Sequence, residues 1–139
     1  MPGYSGTPLV RKLGIAAGQR VVAINAPAHY EQLLEGLPDG VSISSRVVAK
    51  PRFVHLFVQT RAELEKRLET LRTKLDDAGV LWVSWPKKSS GVATDVTEDT
   101  IRAVALPLGF VDVKVCAVDE TWSGLKLMIR RENRAKAKK

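Results

Sequence analysis

Three compact apolar runs alternate along the chain with segments of helical periodicity. The runs occupy residues 20–24, 53–58 and 80–85, and a longer one follows at 110–118. Short apolar runs of this kind are typical of strands that are buried on both faces. Between the second and third runs, leucines recur at helical spacing over residues 64–75. The alternation predicts parallel β-α-β units in a three-layer α/β fold.

Candidate capping residues mark where the helices begin. Thr60 and Glu63 have the spacing of a capping box, in which the hydroxyl and the carboxylate each accept a backbone N–H. Thr97 is a candidate cap for the helix that follows the third run. Thr7, with Pro8 in the first helical position, predicts a short helix near the start of the sequence.

The last two predicted strands, at 110–118 and 125–129, are joined by too short a segment for a parallel crossover. A parallel pair needs a connection of a dozen or more residues, so we expect an antiparallel hairpin. Between the first two apolar runs, only a short helix at 29–34 and a weak strand at 41–43 are predicted. The whole pattern resembles a shortened methyltransferase-type Rossmann sheet, which is mostly parallel and has a C-terminal antiparallel hairpin.

The length of 139 residues fits one domain, which we place at residues 1–131. The net charge is +7, but residues 130–139 alone contain six basic side chains and one acidic one. We therefore expect residues 132–139 to form a basic, solvated tail that adds at most weak, nonspecific affinity for nucleic acid.

No targeting or membrane segment is evident. The first eight residues lack the features of a signal peptide, and no apolar stretch approaches the about 18 residues of a membrane span. Cys116 is the single cysteine, which excludes a disulfide within the chain. These features favour a cytoplasmic protein that has no membrane partner.

Several long motifs resemble one small bacterial family. They are YSGTPL at residues 4–9, WVSWPKKSSG at 82–91, TDVTED at 94–99 and VKVCAVDETWSGL at 113–125. Together they are similar to the domain-of-unknown-function family numbered 3052, over nearly the whole chain up to about Arg131. The resemblance implies a small Rossmann-like domain and assigns no activity to it.

The turn after the first apolar run lacks the glycines by which Rossmann-type enzymes bring the backbone close to a cofactor. It reads INAPAH over residues 24–29, and Pro27 removes a backbone donor. Residues 41–45 contain no carboxylate that could hold a ribose, and neither G-x-G-x-x-G nor a P-loop occurs. We therefore expect no cofactor, and in particular no binding of S-adenosylmethionine.

A polar loop follows the third apolar run, at the edge where open α/β sheets bind their ligands. Lysine is a point charge that suits phosphate or carboxylate, and backbone donors in the loop would complete a cradle for an anion. The alternative is a solvated turn with two surface lysines. The candidate ligand-binding residues of this loop are Lys87, Lys88, Ser89, Ser90, Gly91 and Thr94.

Two further candidates lie outside this loop. His29 follows the first run near the expected ligand cleft, and Glu120 could form an ion pair with the lysine loop. Asp119, its neighbour, is expected to serve the hairpin turn. His55 lies in the middle of an apolar strand and is expected to be packed. One cysteine and two histidines favour no metal site, and we assign no catalytic residue.

Three functions are compatible with these residues. The missing glycine-rich turn favours a non-catalytic Rossmann-like module that binds a small anionic ligand or a protein partner, including a second copy paired at the hairpin edge. The alternative is an enzyme related to methyltransferases with a degenerate cofactor site. A third is a nucleic-acid accessory that uses its basic tail.

An anion site at the lysine loop predicts a specific stabilisation. Sulfate should raise the melting temperature of the wild-type protein, because a ligand that binds the folded state stabilises it. The double variant Lys87→Ala, Lys88→Ala should lose that increment, and chloride at matched ionic strength should give none. Equal stabilisation of both proteins by sulfate in thermal melts would contradict the prediction.

Overall fold

In the computed structural model, which describes residues 8–47 and 50–134, six strands form one sheet. The first four strands are parallel, and the last strand lies antiparallel between the fourth and the fifth. The strands are β1 (Arg20–Ile24), β2 (Ser42–Ser44), β3 (Phe53–Phe57), β4 (Val80–Pro86), β5 (Phe110–Ala117) and β6 (Trp122–Ile129), in the order β2-β1-β3-β4-β6-β5. The predicted Rossmann-like α/β fold with a C-terminal antiparallel hairpin is confirmed.

Helices cover both faces of this sheet. One face carries α1 (Leu9–Leu13) and α2 (Tyr30–Leu33), and the other carries α3 (Arg61–Lys74) and α4 (Glu98–Ala105). No helix within the described residues is long and apolar enough to cross a membrane. The three layers therefore match those expected from the alternation of strands and helices.

The leucine stripe of α3 forms much of the core on its side of the sheet. Leu64, Leu68, Leu71 and Leu75 are each at most 4% exposed. Burial of a leucine side chain contributes roughly 1.5–3 kcal/mol, so the stripe is enough to hold α3 against β3 and β4. The helical spacing in the sequence predicted this face correctly.

The capping box predicted at the start of α3 is only half formed. Thr60 Oγ1 accepts the Glu63 N–H at 3.2 Å, but the Glu63 carboxylate instead accepts a hydrogen bond from Asn25 Nδ2 at 2.7 Å. The complete box belongs to α4, between Thr97 and Thr100. The cap predicted at Thr7 lies outside the described residues.

The connection from β2 to β3 passes across β1. Its described residues contain no helix, and Val47 packs against the core on the α3 side. The strand order therefore reverses between β1 and β3, since α2 lies on one face and this connection on the other. Such a reversal point is where open α/β sheets bind ligands, at the carboxyl ends of the strands.

A buried chain of hydrogen bonds ties α2 to the centre of the sheet. Tyr30 Oη lies 2.8 Å from His55 Nδ1, and His55 Nε2 lies 2.7 Å from Ser84 Oγ. The His55 ring also stacks on Phe57, with centroids 4.3 Å apart. Burial lowers the pKa of His55 to about 3, so the ring is neutral in the folded protein. The prediction of a packed histidine is confirmed.

The buried imidazole gives the protein a pH-dependent stability. In the unfolded chain His55 takes up a proton below its ordinary pKa of about 6.5. In the folded protein its pKa is about 3, so stability is complete above pH 6.5 and is lost as the pH falls. We expect the free energy of unfolding to fall by about 2 kcal/mol between pH 7.5 and 5, measured by urea titration.

One variant separates this effect from general acid sensitivity. His55→Gln should be less stable at all pH values but should lose most of the slope in this interval. The same slope in wild type and His55→Gln would refute the assignment.

Candidate functional site

Three loops meet at the carboxyl edge of the sheet. They are the turn 25–29 after β1, the lysine loop 87–91 after β4, and the hairpin turn 118–121 before β6. The Lys87 N–H donates to the Thr121 carbonyl at 2.7 Å, which joins the second loop to the third. His29 Nε2 lies 3.1 Å from Asp119 Oδ2, which joins the first to the third.

The pair of His29 and Asp119 is the main feature that sequence reasoning missed. Asp119 Oδ1 accepts the backbone N–H groups of Thr121 and Trp122 at 2.8 and 2.7 Å, so its predicted role in the turn is confirmed. These bonds also fix the buried carboxylate so that Oδ2 faces the half-exposed imidazole of His29. The two residues are 90 positions apart, and only the turn-forming aspartate could have signalled the pair.

This pair can handle a proton. If Asp119 accepts the Nε2–H of a neutral imidazole, the lone pair of His29 Nδ1 is left as the basic site. An aspartate that orients a histidine in this way also stabilises the imidazolium once a proton arrives. Among residues 8–47 and 50–134, no group of three or more His, Cys, Asp or Glu side chains could hold a metal ion.

The lysine loop uses several of its own donors internally. Lys88–Ser90 is a 3₁₀ turn in which the N–H groups of Ser90 and Gly91 donate to the carbonyls of Lys87 and Lys88. The Ser90 hydroxyl donates to the Lys87 carbonyl at 2.6 Å. An anion here would therefore meet mainly the lysine ammonium groups and the exposed Ser89, with little of the predicted backbone cradle. Anion binding at this loop stays a prediction.

The remaining predicted site residues take different positions. Thr94 Oγ1 donates to the Gln59 carbonyl at 2.6 Å. This hydrogen bond connects the segment after the lysine loop to the residues that follow β3. Glu120 is exposed in the hairpin turn, and the described side chains form no ion pair between it and Lys87 or Lys88. The ion-pair latch predicted for Glu120 is therefore not formed here.

Asn25 closes the crevice at the reversal point. Its backbone has a φ of 59°, a left-handed conformation that asparagine tolerates. Its side-chain amide donates to Glu63 Oε2 at 2.7 Å and to the Phe57 carbonyl at 3.4 Å. A side chain therefore bridges β1 and β3 at the point where a glycine turn would admit a cofactor.

A cleft of about 580 Å³ lies instead between α2 and β2, and we call it the α2–β2 cleft. Its apolar wall is formed by Ala26, Pro27, Ala28 and Ile43. Its polar groups include Glu31, Ser44 and Ser45. The volume falls within the range typical of small-molecule sites, and the carboxyl ends of β1 and β2 form one side. The cleft is therefore a candidate small-molecule site.

The sheet resembles that of several solved methyltransferases. A candidate type 11 methyltransferase from Sulfolobus solfataricus is similar, with a TM-score of 0.58 and 13% identity over 88% of this chain and 89% of that one. Magnesium protoporphyrin IX methyltransferase from Synechocystis, solved with S-adenosylmethionine, gives a TM-score of 0.55 and 12% identity over 88% of this chain and 74% of that one.

A longer protein shares the same core. LepI, solved with S-adenosylhomocysteine (SAH) and a substrate analogue, has a TM-score of 0.52 at 10% identity. The alignment covers 88% of this chain but only 39% of LepI. At these identities the likeness establishes the fold, and it leaves the activity of this chain to be proposed.

These comparisons correct the function predicted from sequence. The missing glycine-rich turn predicts a non-catalytic module, and that prediction is wrong: two of the solved structures that share this sheet are described as methyltransferases. No family model matches the sequence, and no curated protein matches it. The resemblance to the family numbered 3052 therefore stays a prediction.

Proposed function

We propose that this chain is an enzyme related to S-adenosylmethionine-dependent methyltransferases, with a reduced cofactor site in the α2–β2 cleft. One observation carries the proposal: a nucleoside-sized cleft at the carboxyl ends of β1 and β2 in a sheet of methyltransferase topology. The proposal replaces the expectation that no cofactor binds. That expectation assumed entry through a glycine turn after β1.

The residues of the cleft suit the adenosine part of the cofactor. Ala26, Pro27 and Ile43 offer an apolar surface for the flat base. Glu31 lies on the exposed side of α2 and can accept hydrogen bonds from a ribose diol. It would supply the carboxylate that the sequence lacks at the end of β2. The hydroxyl of Ser45 adds a second polar contact.

The neighbouring pair of His29 and Asp119 would supply the proton-transfer groups at this edge of the sheet. Bound S-adenosylmethionine supplies an electrophilic methyl group. Ala28 and Tyr30 line the cleft, while His29 between them pairs with Asp119. His29 Nδ1 is the group that would take the proton from a hydroxyl or amine acceptor, and Asp119 would stabilise the resulting imidazolium.

The acceptor is proposed to be a small molecule that carries negative charge. Lys88 is exposed and Lys87 half-buried beside the hairpin turn that holds Asp119, so both would attract an anion to this edge. Four other expectations stay predictions: the cytoplasmic location, the bacterial origin, a dimer at the hairpin edge and a nucleic-acid role of the tail. Residues 135–139 of that tail lie outside the described residues.

Binding of SAH tests the cofactor site directly. We expect calorimetry to give a Kd below about 1 mM, equivalent to about 4 kcal/mol. Ser45 is exposed at the rim of the cleft, so Ser45→Trp should keep the fold while its indole fills the space. That variant should weaken SAH binding by about tenfold or more, since each 1.4 kcal/mol changes an affinity tenfold.

Thr73→Trp is the matched control. Thr73 is also exposed, but it lies on α3 at the opposite face of the sheet, so the affinity should not change. The proposal is overturned if calorimetry of the folded wild-type protein shows no saturable binding at SAH concentrations several times above about 1 mM, the upper limit expected for the Kd. Unchanged affinity in Ser45→Trp would exclude this cleft as the site.

A further inference from the structure

A second cleft lies at the opposite, amino edge of the sheet. It has a volume of about 400 Å³ and is lined by residues 16–20, Val22 and residues 50–52. We call it the amino-edge cleft. Because β1 and β3 are parallel, their first residues meet here, far from the carboxyl ends that form the proposed cofactor site. No step of the proposed methyl transfer uses this cleft.

The short connection between β2 and β3 explains why the cleft exists. A parallel crossover is usually covered by a helix, but this one crosses β1 without one in its described residues. Val22 of β1 lies beneath the cleft but is fully buried in the core on the α3 side. The apolar surface that a ligand can reach comes from Ala16 and Ala17, which are exposed.

The rim of the cleft is positively charged. Arg20, Lys50 and Arg52 are exposed, and no Asp or Glu is among the lining residues. Arg52 Nε lies 3.8 Å from Asp76 Oδ2, but the Arg52 side chain is 72% exposed, so this pair neutralises it weakly. Even if that pair is counted as neutral, two positive charges remain, which match a phosphate dianion.

Lys50 also has an unusual backbone. Its φ is 51°, in the left-handed region that residues other than glycine and asparagine rarely adopt. Such a conformation is strained for a lysine and persists where surrounding structure or function requires it. Here it places a lysine at the rim of a cleft that already contains two arginines.

We infer that the amino-edge cleft binds a small phosphorylated organic molecule. The guanidinium groups of Arg20 and Arg52 and the Lys50 ammonium would hold the phosphate, since arginine matches phosphate geometry with paired donors. The methyl groups of Ala16 and Ala17 would contact the organic part. The site is separate from the cofactor cleft, so a failure of either proposal leaves the other standing.

Phenyl phosphate is a suitable probe, because it joins a phosphate to a small apolar body. Calorimetry with the full chain should show saturable binding, and inorganic phosphate should bind roughly tenfold more weakly because it makes no apolar contact with Ala16 and Ala17. Arg20→Gln and Lys50→Gly should each weaken phenyl phosphate binding about tenfold, the effect of losing one charged hydrogen bond. Glycine adopts a φ of 51° freely, so Lys50→Gly should also keep its melting temperature.

A control variant locates the binding. Arg46→Gln removes an exposed charge from the same connection but outside the cleft, and it should leave the affinity within about twofold, as expected for screened surface charge. The inference is overturned if the wild type does not bind phenyl phosphate, if Arg46→Gln weakens binding as much as Arg20→Gln, or if inorganic phosphate binds equally well.

Discussion

The hydrogen bonds from Tyr30 through His55 to Ser84 hold the part of the molecule on which its chemistry depends. The helix α2 has only four residues, and a single turn is not stable by itself in water. Tyr30 is 3% exposed, and its hydroxyl reaches the ring of a histidine in β3. That contact fixes the turn 25–29, which forms one wall of the α2–β2 cleft and carries His29.

Aromatic packing supports the same anchor. The Tyr30 ring meets Phe57 edge-on at 5.5 Å between centroids, and Phe57 meets Trp122 in the same way at 5.0 Å. Trp122 is also the residue whose N–H is accepted by Asp119. One cluster therefore positions both members of the His29–Asp119 pair, although they come from opposite ends of the chain.

The sequence predicts the strands and the long helix well because their signals are local. Apolar runs mark β1, β3 and β4, and the leucine stripe marks the buried face of α3. Prediction from the sequence fails where residues that are far apart in the chain come into contact. The Glu63 carboxylate bonds to Asn25, 38 positions away, in place of its own helix start. The last strand starts at Trp122, three residues earlier than predicted, and inserts between β4 and β5.

The error about function has the same origin. The missing glycine turn predicts that no cofactor binds, yet the cleft beside that turn is formed by Ala26, Pro27 and Ile43, which match no motif. A crystal structure of the protein with SAH would test this point most directly. The account predicts the nucleoside in the α2–β2 cleft, with the hydrogen bond between Asn25 and Glu63 intact. A nucleoside bound between β1 and β3 with that bond broken, or no bound nucleoside in crystals grown at saturating SAH, would contradict it.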